Sequence, residues 1–323
     1  RSGGAAARMS RVKLEEVIQT VLQADGIAEK DQPNLIAAIA KAAEQRLVFL
    51  VEPEPGQFGF EIRSLQEFMA AWALTTGREE AAKARVAQIA GAPMFRNVAL
   101  FIASRWYSEG SDLADILAQE VCASLDQDSH NEAANVSCAG ALFALELLEE
   151  GVAAAQPQRA RALMASAAGL LSLPPAHEHV RLGLVGNSDT EIALQAALER
   201  VFKAEQQTQT LSAWICLLTA TNHNAAWATR LGDQYWHCLP DLVEVLRLYQ
   251  ELGLRLGDWL ANKLAPSIEQ IPPEILLAIP SNQNQHLSAA FSAVYVFIRN
   301  KRFSAQRYAQ VWDFAVPLQV PNR

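Results

Sequence analysis

The stretch that most constrains the fold lies between residues 47 and 74. Two short β-prone runs, Leu47–Val51 and Phe58–Ile62, flank a segment rich in proline and glycine. Proline cannot donate to the hydrogen-bond ladder of a central strand but fits a hairpin loop, so these runs predict a β-hairpin. A helix is expected to begin at Ser64, because Ser64-Leu-Gln-Glu67 fits a capping box.

Two helical patterns precede this hairpin. Residues 13–24 carry apolar side chains at helical spacing, and a second helix is predicted to run from about Pro33 to Gln45 with Asp31 as its cap. Helix, helix and hairpin in this order predict a winged-helix domain over residues 10–77. We interpret residues 1–9 as a linker or an expression scar and exclude them from the fold.

The rest of the chain is typical of helix. Alanine and leucine are abundant, and glycine or proline separates apolar-periodic segments of helical length. Short connections favour antiparallel helix pairs, so we predict a mainly α protein in which a small winged-helix domain with one hairpin is followed by an α-solenoid-like stack. Residues 78–172 would form a helical repeat region, and residues 173–323 a C-terminal sensor region. The predicted helices are 79–90, 94–107, 111–124, 131–149, 157–171, 189–205, 208–221, 223–231, 240–250, 255–264, 273–279, 285–299 and 304–313.

The segment from Phe60 to Leu74 resembles the end of the winged-helix domain of STAND NTPases of the NACHT type. In that family a hairpin leads into a helix that reads approximately F-x-H-R-S-F-Q-E-Y-x-A-A. The residues that carry the resemblance here are Phe60, Arg63, Ser64, Gln66, Glu67, Phe68, Ala70 and Ala71. Residues 94–102, Met-Phe-Arg-Asn-Val-Ala-Leu-Phe-Ile, resemble the next helix of the family.

The resemblance implies a regulated switch. In the family an upstream P-loop domain binds ATP or ADP, the winged helix folds over the nucleotide, and a C-terminal array senses a ligand. Here Ile62 replaces the histidine that contacts the ADP phosphate, and an aliphatic side chain cannot donate a hydrogen bond. The sequence also has no G-x-x-x-x-G-K-[ST] motif. We therefore expect no cofactor site and no catalytic site in this chain, and ATP or ADP would belong to an upstream domain.

We interpret the chain as the regulatory and ligand-sensing part of a NACHT-like STAND protein in antiviral defence. Its expected partners are a protein ligand and, on activation, further copies of itself. One alternative is a helical-repeat scaffold that binds protein partners without a nucleotide switch. A second alternative is a winged-helix DNA-binding regulator, although residues 1–80 hold nine basic and twelve acidic side chains and the whole chain has a net charge of −8.

Other side chains give weaker indications. The four cysteines form no CxxC pair and are interpreted as reduced, mostly buried thiols of a cytoplasmic protein. His177-Glu-His179 could offer two metal ligands, but structural zinc needs four, so a solvated loop is expected and no metal site. No apolar run is long enough to span a membrane.

The C-terminal half is rich in tryptophan, with five of the seven in the chain after residue 188. Such rings usually lie in a core, but they are also enriched at interfaces. A cluster near the end offers a candidate partner surface, with a solvated helix end as the alternative. Its members are Arg299, Lys301, Arg302, Arg307 and Tyr308.

Overall fold

A computed structural model describes most of the chain up to Leu264. The described residues are 8–46, 50–54, 56–60, 62–90, 92–127, 136–186, 189–204, 207–223, 225–254, 257–264 and 271. By its contacts the chain divides into two units, residues 1–106 and residues 107–323.

The first unit begins with a winged helix. Its elements are β1 (Met9–Ser10), α1 (Arg11–Ala24), α2 (Gln32–Arg46), β2 (Leu50–Glu54) and β3 (Gln57–Phe60). The three strands form an antiparallel sheet in the order β1-β3-β2, so the wing hairpin β2–β3 carries the short β1 on its other edge. The predicted hairpin is confirmed, and β1 adds a strand that includes Met9 from the segment interpreted as a linker.

A small apolar core joins α1 to the sheet. Leu14, Ile18 and Leu22 recur at every fourth position of α1, and they are buried in one cluster with Ala40 and Phe58. The Ser10 hydroxyl caps α1 by accepting a hydrogen bond from the Lys13 amide at 3.3 Å. This cap fixes the direction in which α1 leaves the sheet.

Three further helices complete the first unit. They are α3 (Arg63–Leu74), α4 (Glu79–Ala90) and α5 (Arg96–Ser108), which follows a 3-10 turn over Pro93–Phe95. The sequence predicted the start of α3 and both ends of α4 and α5 to within two residues.

The second unit contains helices and turns but no strand among its described residues, and the prediction of a mainly α protein with a small antiparallel sheet is confirmed. A first helical stretch runs over residues 113–126, where α6 (Leu113–Ile116) and α7 (Cys122–Asp126) flank the π-helical turn Leu117–Val121. The α-helices that follow in the described part of this unit are α8 (Ala139–Glu149), α9 (Pro157–Ala167), α10 (His177–Leu184), α11 (Glu191–Ala204), α12 (Gln207–Asn222), α13 (Ala226–Tyr235), α14 (Leu242–Glu251) and α15 (Asp258–Leu264).

Helix α12 lies at the centre of the later part of this unit. Its residues 210–221 are all buried, and it packs against α10, α11, α13, α14 and α15. A helix surrounded on every side must be apolar all round, which explains the run Trp214-Ile-Cys-Leu-Leu218.

Two glycines let helices of this unit meet backbone to backbone. A Cβ atom at Gly140 of α8 would overlap the carbonyl oxygen of Cys122, at the start of α7. A Cβ atom at Gly183 of α10 would similarly overlap the carbonyl oxygen of Cys216 in α12. Neither position accepts a side chain without moving a helix backbone.

Helix α8 is capped by a side chain from another helix. Its own N-cap, Cys138, is in the left-handed region at φ 50° and makes no side-chain cap. The Asp126 carboxylate instead accepts hydrogen bonds from the amides of Gly140 at 2.7 Å and Ala141 at 3.1 Å. These amides would otherwise lack partners. Helix α8 begins at Ala139, and the predicted start at residue 131 lies outside the described residues.

The cysteines agree in part with the expectation of mostly buried thiols. The helices predicted at 273–279, 285–299 and 304–313 lie outside the described residues. All four cysteines are free thiols, with Cys122 and Cys216 buried. Burial raises the pKa of the Cys122 thiol to about 12, so this thiol is protonated and inert at neutral pH. In the described part of the chain, no helix is both long and apolar enough to cross a membrane.

Candidate functional site

The residues that resemble the STAND family lie at the junction of the wing and α3. Phe60 ends β3 opposite Leu50, and Ile62 continues as extended backbone before α3 begins at Arg63. Ile62 is the N-cap of α3 and makes no side-chain cap. Its side chain is 48 % exposed, so the position that would hold the family histidine presents an apolar group to solvent.

The predicted capping box is wrong. Ser64 lies inside the first turn of α3, and no side chain caps the helix. The Glu67 carboxylate accepts a hydrogen bond from Arg63 Nε at 2.9 Å and another from Asn97 Nδ2 of α5 at 2.9 Å. Glu67 is thereby occupied by two donors, one of them thirty residues away, and it bridges α3 to α5.

Helix α5 contacts α3 through one face. Asn97, Phe101 and Arg105 are spaced four residues apart and lie on the same side of α5. The Phe68 ring meets Phe101 edge-on, with centroids 5.9 Å apart. The Arg105 guanidinium lies 4.1 Å from the centroid of the Trp72 ring.

Arg105 also contacts the residue that follows the C-terminal end of α3. Its Nη1 donates to the Thr75 hydroxyl at 2.9 Å, just beyond the last residue of α3. Three interactions thus join α3 to α5: the hydrogen bond from Asn97 to Glu67, the edge-on contact of Phe68 with Phe101, and the Arg105 guanidinium over the Trp72 ring. The two small family residues differ, since Ala71 is buried and Ala70 is partly exposed.

One side of α3 is apolar and half exposed, and two of its residues, Phe68 and Trp72, also contact α5. Ile62, Phe68, Met69 and Trp72 are each about half exposed, and their spacing places them on one side of the helix. We call these four residues the α3 apolar surface. Ser64 is exposed beside it, and Gln66 is partly exposed. A surface of this kind binds protein better than it binds phosphate, because it offers few donors.

The α2 surface, which would enter a DNA groove in a DNA-binding winged helix, is also poor in cations. Leu35 and Ile39 are exposed on α2 at 37 % and 40 %, beside Lys41. Neutralising phosphates requires several cations on one face. The described side chains of α2 do not provide such a face.

The segment around His177 is not the expected solvated loop. Residues 177–184 form α10, and His179 is fully buried in it. The Ala176 amide donates to His179 Nδ1 at 3.0 Å, so Nδ1 carries no proton and Nε2 donates to the Leu170 carbonyl at 2.9 Å. Both ring nitrogens are used, which excludes a neutral His179 from metal binding in this conformation. Among the described residues, no group of three metal-ligating side chains occurs.

The aromatic residues of the second unit mostly form core. Trp214 is fully buried and contacts Phe202 at 5.3 Å between ring centroids, and Phe202 stacks on Tyr235 at 5.1 Å. The exposed His237 ring stacks on Tyr235, 6.3 Å between centroids. The partner surface predicted at residues 299–308 lies outside the described residues.

Sequence reasoning placed Asn97 and Phe101 in the segment that resembles the family's next helix, but it did not predict that they and Arg105 contact α3. Their spacing of four was visible, but nothing local indicated that Asn97 would bond the glutamate of the motif. Comparisons with family models, with curated proteins and with solved structures give no match to this chain. The resemblance to STAND NTPases therefore stays a prediction, carried by the residues described above.

Proposed function

We propose that this chain is the regulatory and ligand-sensing part of a NACHT-like STAND signalling NTPase in the cytoplasm, serving antiviral defence and having no catalytic site of its own. The observation that supports this most is the α3 apolar surface directly behind the wing. Large contiguous apolar groups on a protein surface usually mark an interaction site. In the proposed protein, this surface packs against an upstream nucleotide-binding domain.

The α3–α5 contact explains how such a surface could be held in shape. The Glu67 bridge and the Arg105 contact with Trp72 hold α3 against α5, while Met69 of the same apolar surface is 47 % exposed. Only two residues separate the end of β3 from the start of α3, so a change at the sheet would be passed to α3 over a short distance. The second unit would bind the protein ligand, and activation would bring copies together.

The first experiment determines the reading frame upstream of residue 1 and expresses the protein with that segment. A P-loop domain followed by the winged helix is the expected result, with ADP retained in the purified protein. A frame with no P-loop would contradict the proposal and favour the helical scaffold. Salt-dependent binding of the 323-residue chain to random duplex DNA would favour the DNA-binding regulator instead.

The second experiment tests the α3 apolar surface in the extended protein. We expect Met69→Asp to lower ADP retention, because a charge at a buried domain contact is costly. Ile192→Asp is the matched control, since Ile192 is a large aliphatic side chain, 62 % exposed, in the second unit. Equal ADP retention in both variants would refute the role of α3 while leaving the P-loop result intact.

A further inference from the structure

In the second unit, a lysine ammonium lies against two tryptophan rings and a carboxylate. Lys263 Nζ of α15 is 5.7 Å from the ring centroid of Trp236 and 5.8 Å from that of Trp259. The same nitrogen is 2.7 Å from Asp233 Oδ1. The two rings are almost perpendicular, with an interplanar angle of 87° and 5.8 Å between centroids. We call Trp236, Trp259 and Asp233 the cation cage.

The walls of the cage are fixed from behind. Trp236 packs edge-to-face on the buried Trp214, with centroids 5.9 Å apart. Trp259 lies over Gly232 so closely that a Cβ atom there would be 2.6 Å from the ring. Trp259 Nε1 donates to Asp233 Oδ1 at 3.2 Å, which holds both side chains in place. The site is therefore preorganised, independently of what occupies it.

The chemistry of the cage selects an organic cation. The face of an aromatic ring carries negative charge density, and tryptophan is the strongest of the aromatic side chains in attracting cations. Asp233 adds a full negative charge, because the hydrogen bond from Lys263 holds the pKa of this carboxyl below its usual range. Two rings and a carboxylate favour a quaternary or methylated ammonium group, which loses little hydration on entering, over a small hydrated metal ion.

We propose that the cation cage is a binding site for quaternary or methylated ammonium groups, and that Lys263 occupies it until such a group displaces it. This inference does not depend on the proposed function of the whole protein. Lys263 is a suitable resident because its side chain is one-third exposed and Asp233 is half exposed. An ion pair this accessible to water contributes little, and the long lysine stem can carry its ammonium back to solvent.

The experiment titrates tetramethylammonium chloride into the full chain and follows tryptophan fluorescence, with sodium chloride at equal ionic strength as the reference. In Lys263→Ala the cage is empty, so we expect saturable quenching at a concentration about tenfold lower than in the unsubstituted chain. Lys203→Ala is the matched control. Lys203 also forms an ion pair, with Glu199 of the same helix, but it lies outside the cage.

Two arms distinguish the source of the ammonium group. One arm uses choline, which represents free metabolites, and the other uses N-acetyl-trimethyllysine amide, which represents a methylated protein side chain. The ligand that Lys263→Ala binds more tightly, choline or N-acetyl-trimethyllysine amide, identifies the source of the ammonium group that the surroundings of the cage fit better. If the fluorescence responses to choline and to N-acetyl-trimethyllysine amide are both lost when Trp259→Leu is added to Lys263→Ala, the cage itself binds these two ligands.

The proposal is overturned if tetramethylammonium quenches the fluorescence of Lys263→Ala at the same concentration as that of Lys203→Ala. It is also overturned if the response of Lys263→Ala persists when Trp259→Leu is added. Circular dichroism establishes first that each variant is folded. Should Lys263→Ala not fold, the unsubstituted chain decides the question. A saturable response to tetramethylammonium that sodium does not reproduce supports the cage, and a response identical to that of sodium overturns it.

Discussion

The buried ring of His179 predicts a loss of stability in acid. The ring is neutral in the fold, since one nitrogen accepts from the Ala176 amide and the other donates to the Leu170 carbonyl. Burial lowers the pKa of His179, despite the hydrogen bonds to the backbone. The unfolded chain therefore takes up a proton at this ring at a higher pH than the folded chain does.

The sign and the size of the effect follow from this difference. The contribution of His179 is fully present above the unfolded pKa of about 6.5 and is lost as the pH falls through that value toward the folded pKa. For each pH unit between the unfolded and the folded pKa, the free energy of unfolding falls by about 1.4 kcal/mol. Below the folded pKa no further loss arises from this group.

Substitution should remove this pH dependence along with some stability. His179→Gln leaves the Leu170 carbonyl and the Ala176 amide with poorer partners, and we expect a cost of about 2–4 kcal/mol at neutral pH. His177→Gln is the matched control, because His177 lies two residues away in the same helix and is exposed. The control should change the free energy of unfolding by less than about 0.5 kcal/mol.

Urea denaturation followed by tryptophan fluorescence measures these changes at about pH 7.5 and about pH 5. The unsubstituted chain and His177→Gln should lose stability in acid, and His179→Gln should lose distinctly less. If His179→Gln lost as much stability in acid as the unsubstituted chain, another group would be responsible and the account of the buried ring would be refuted.

Two further predictions concern packing. Gly140→Ala should lower the free energy of unfolding by about 3 kcal/mol or more, because its new Cβ meets a helix backbone that cannot move alone. Gly169→Ala, whose Cβ would lie 3.2 Å from a single methyl group, should cost less than about 1 kcal/mol in the same denaturation assay. Glu67→Ala should cost about 1–2 kcal/mol, and a double-mutant cycle with Asn97→Ala should give a coupling of about 0.5–1 kcal/mol. A coupling of zero would mean that the bridge between α3 and α5 does not form in solution.

The winged helix could be predicted because its signals are local. The alternation of apolar side chains, the proline-rich turn at Gly56 and the spacing of Leu14 with Ile18 all act within a few residues. The capping box failed for the opposite reason. Glu67 had the right spacing from Ser64, but its carboxylate is bonded by an amide thirty residues away, and no local pattern reports such a partner.

The second unit shows the same limit. His179 follows two prolines and a second histidine, so its polarity indicated a loop. Its two hydrogen bonds to backbone groups make it a core residue instead. The cation cage left a faint sequence signal, since Asp233 and Trp236 are three apart and Trp259 and Lys263 are four apart. Each pair predicts a shared helix face, but only the fold brings the two faces together.

The glycine contacts at Gly140 and Gly183 limit how the second unit can move. Where two helices touch through their main chains, van der Waals contact of backbone atoms sets their separation, and no rotamer change can bring them closer. Helices α7 and α8 should therefore travel as one body, and α10 and α12 as another. A conformational change that passes through this unit would therefore alter the turns between these helix pairs rather than the packing within each pair.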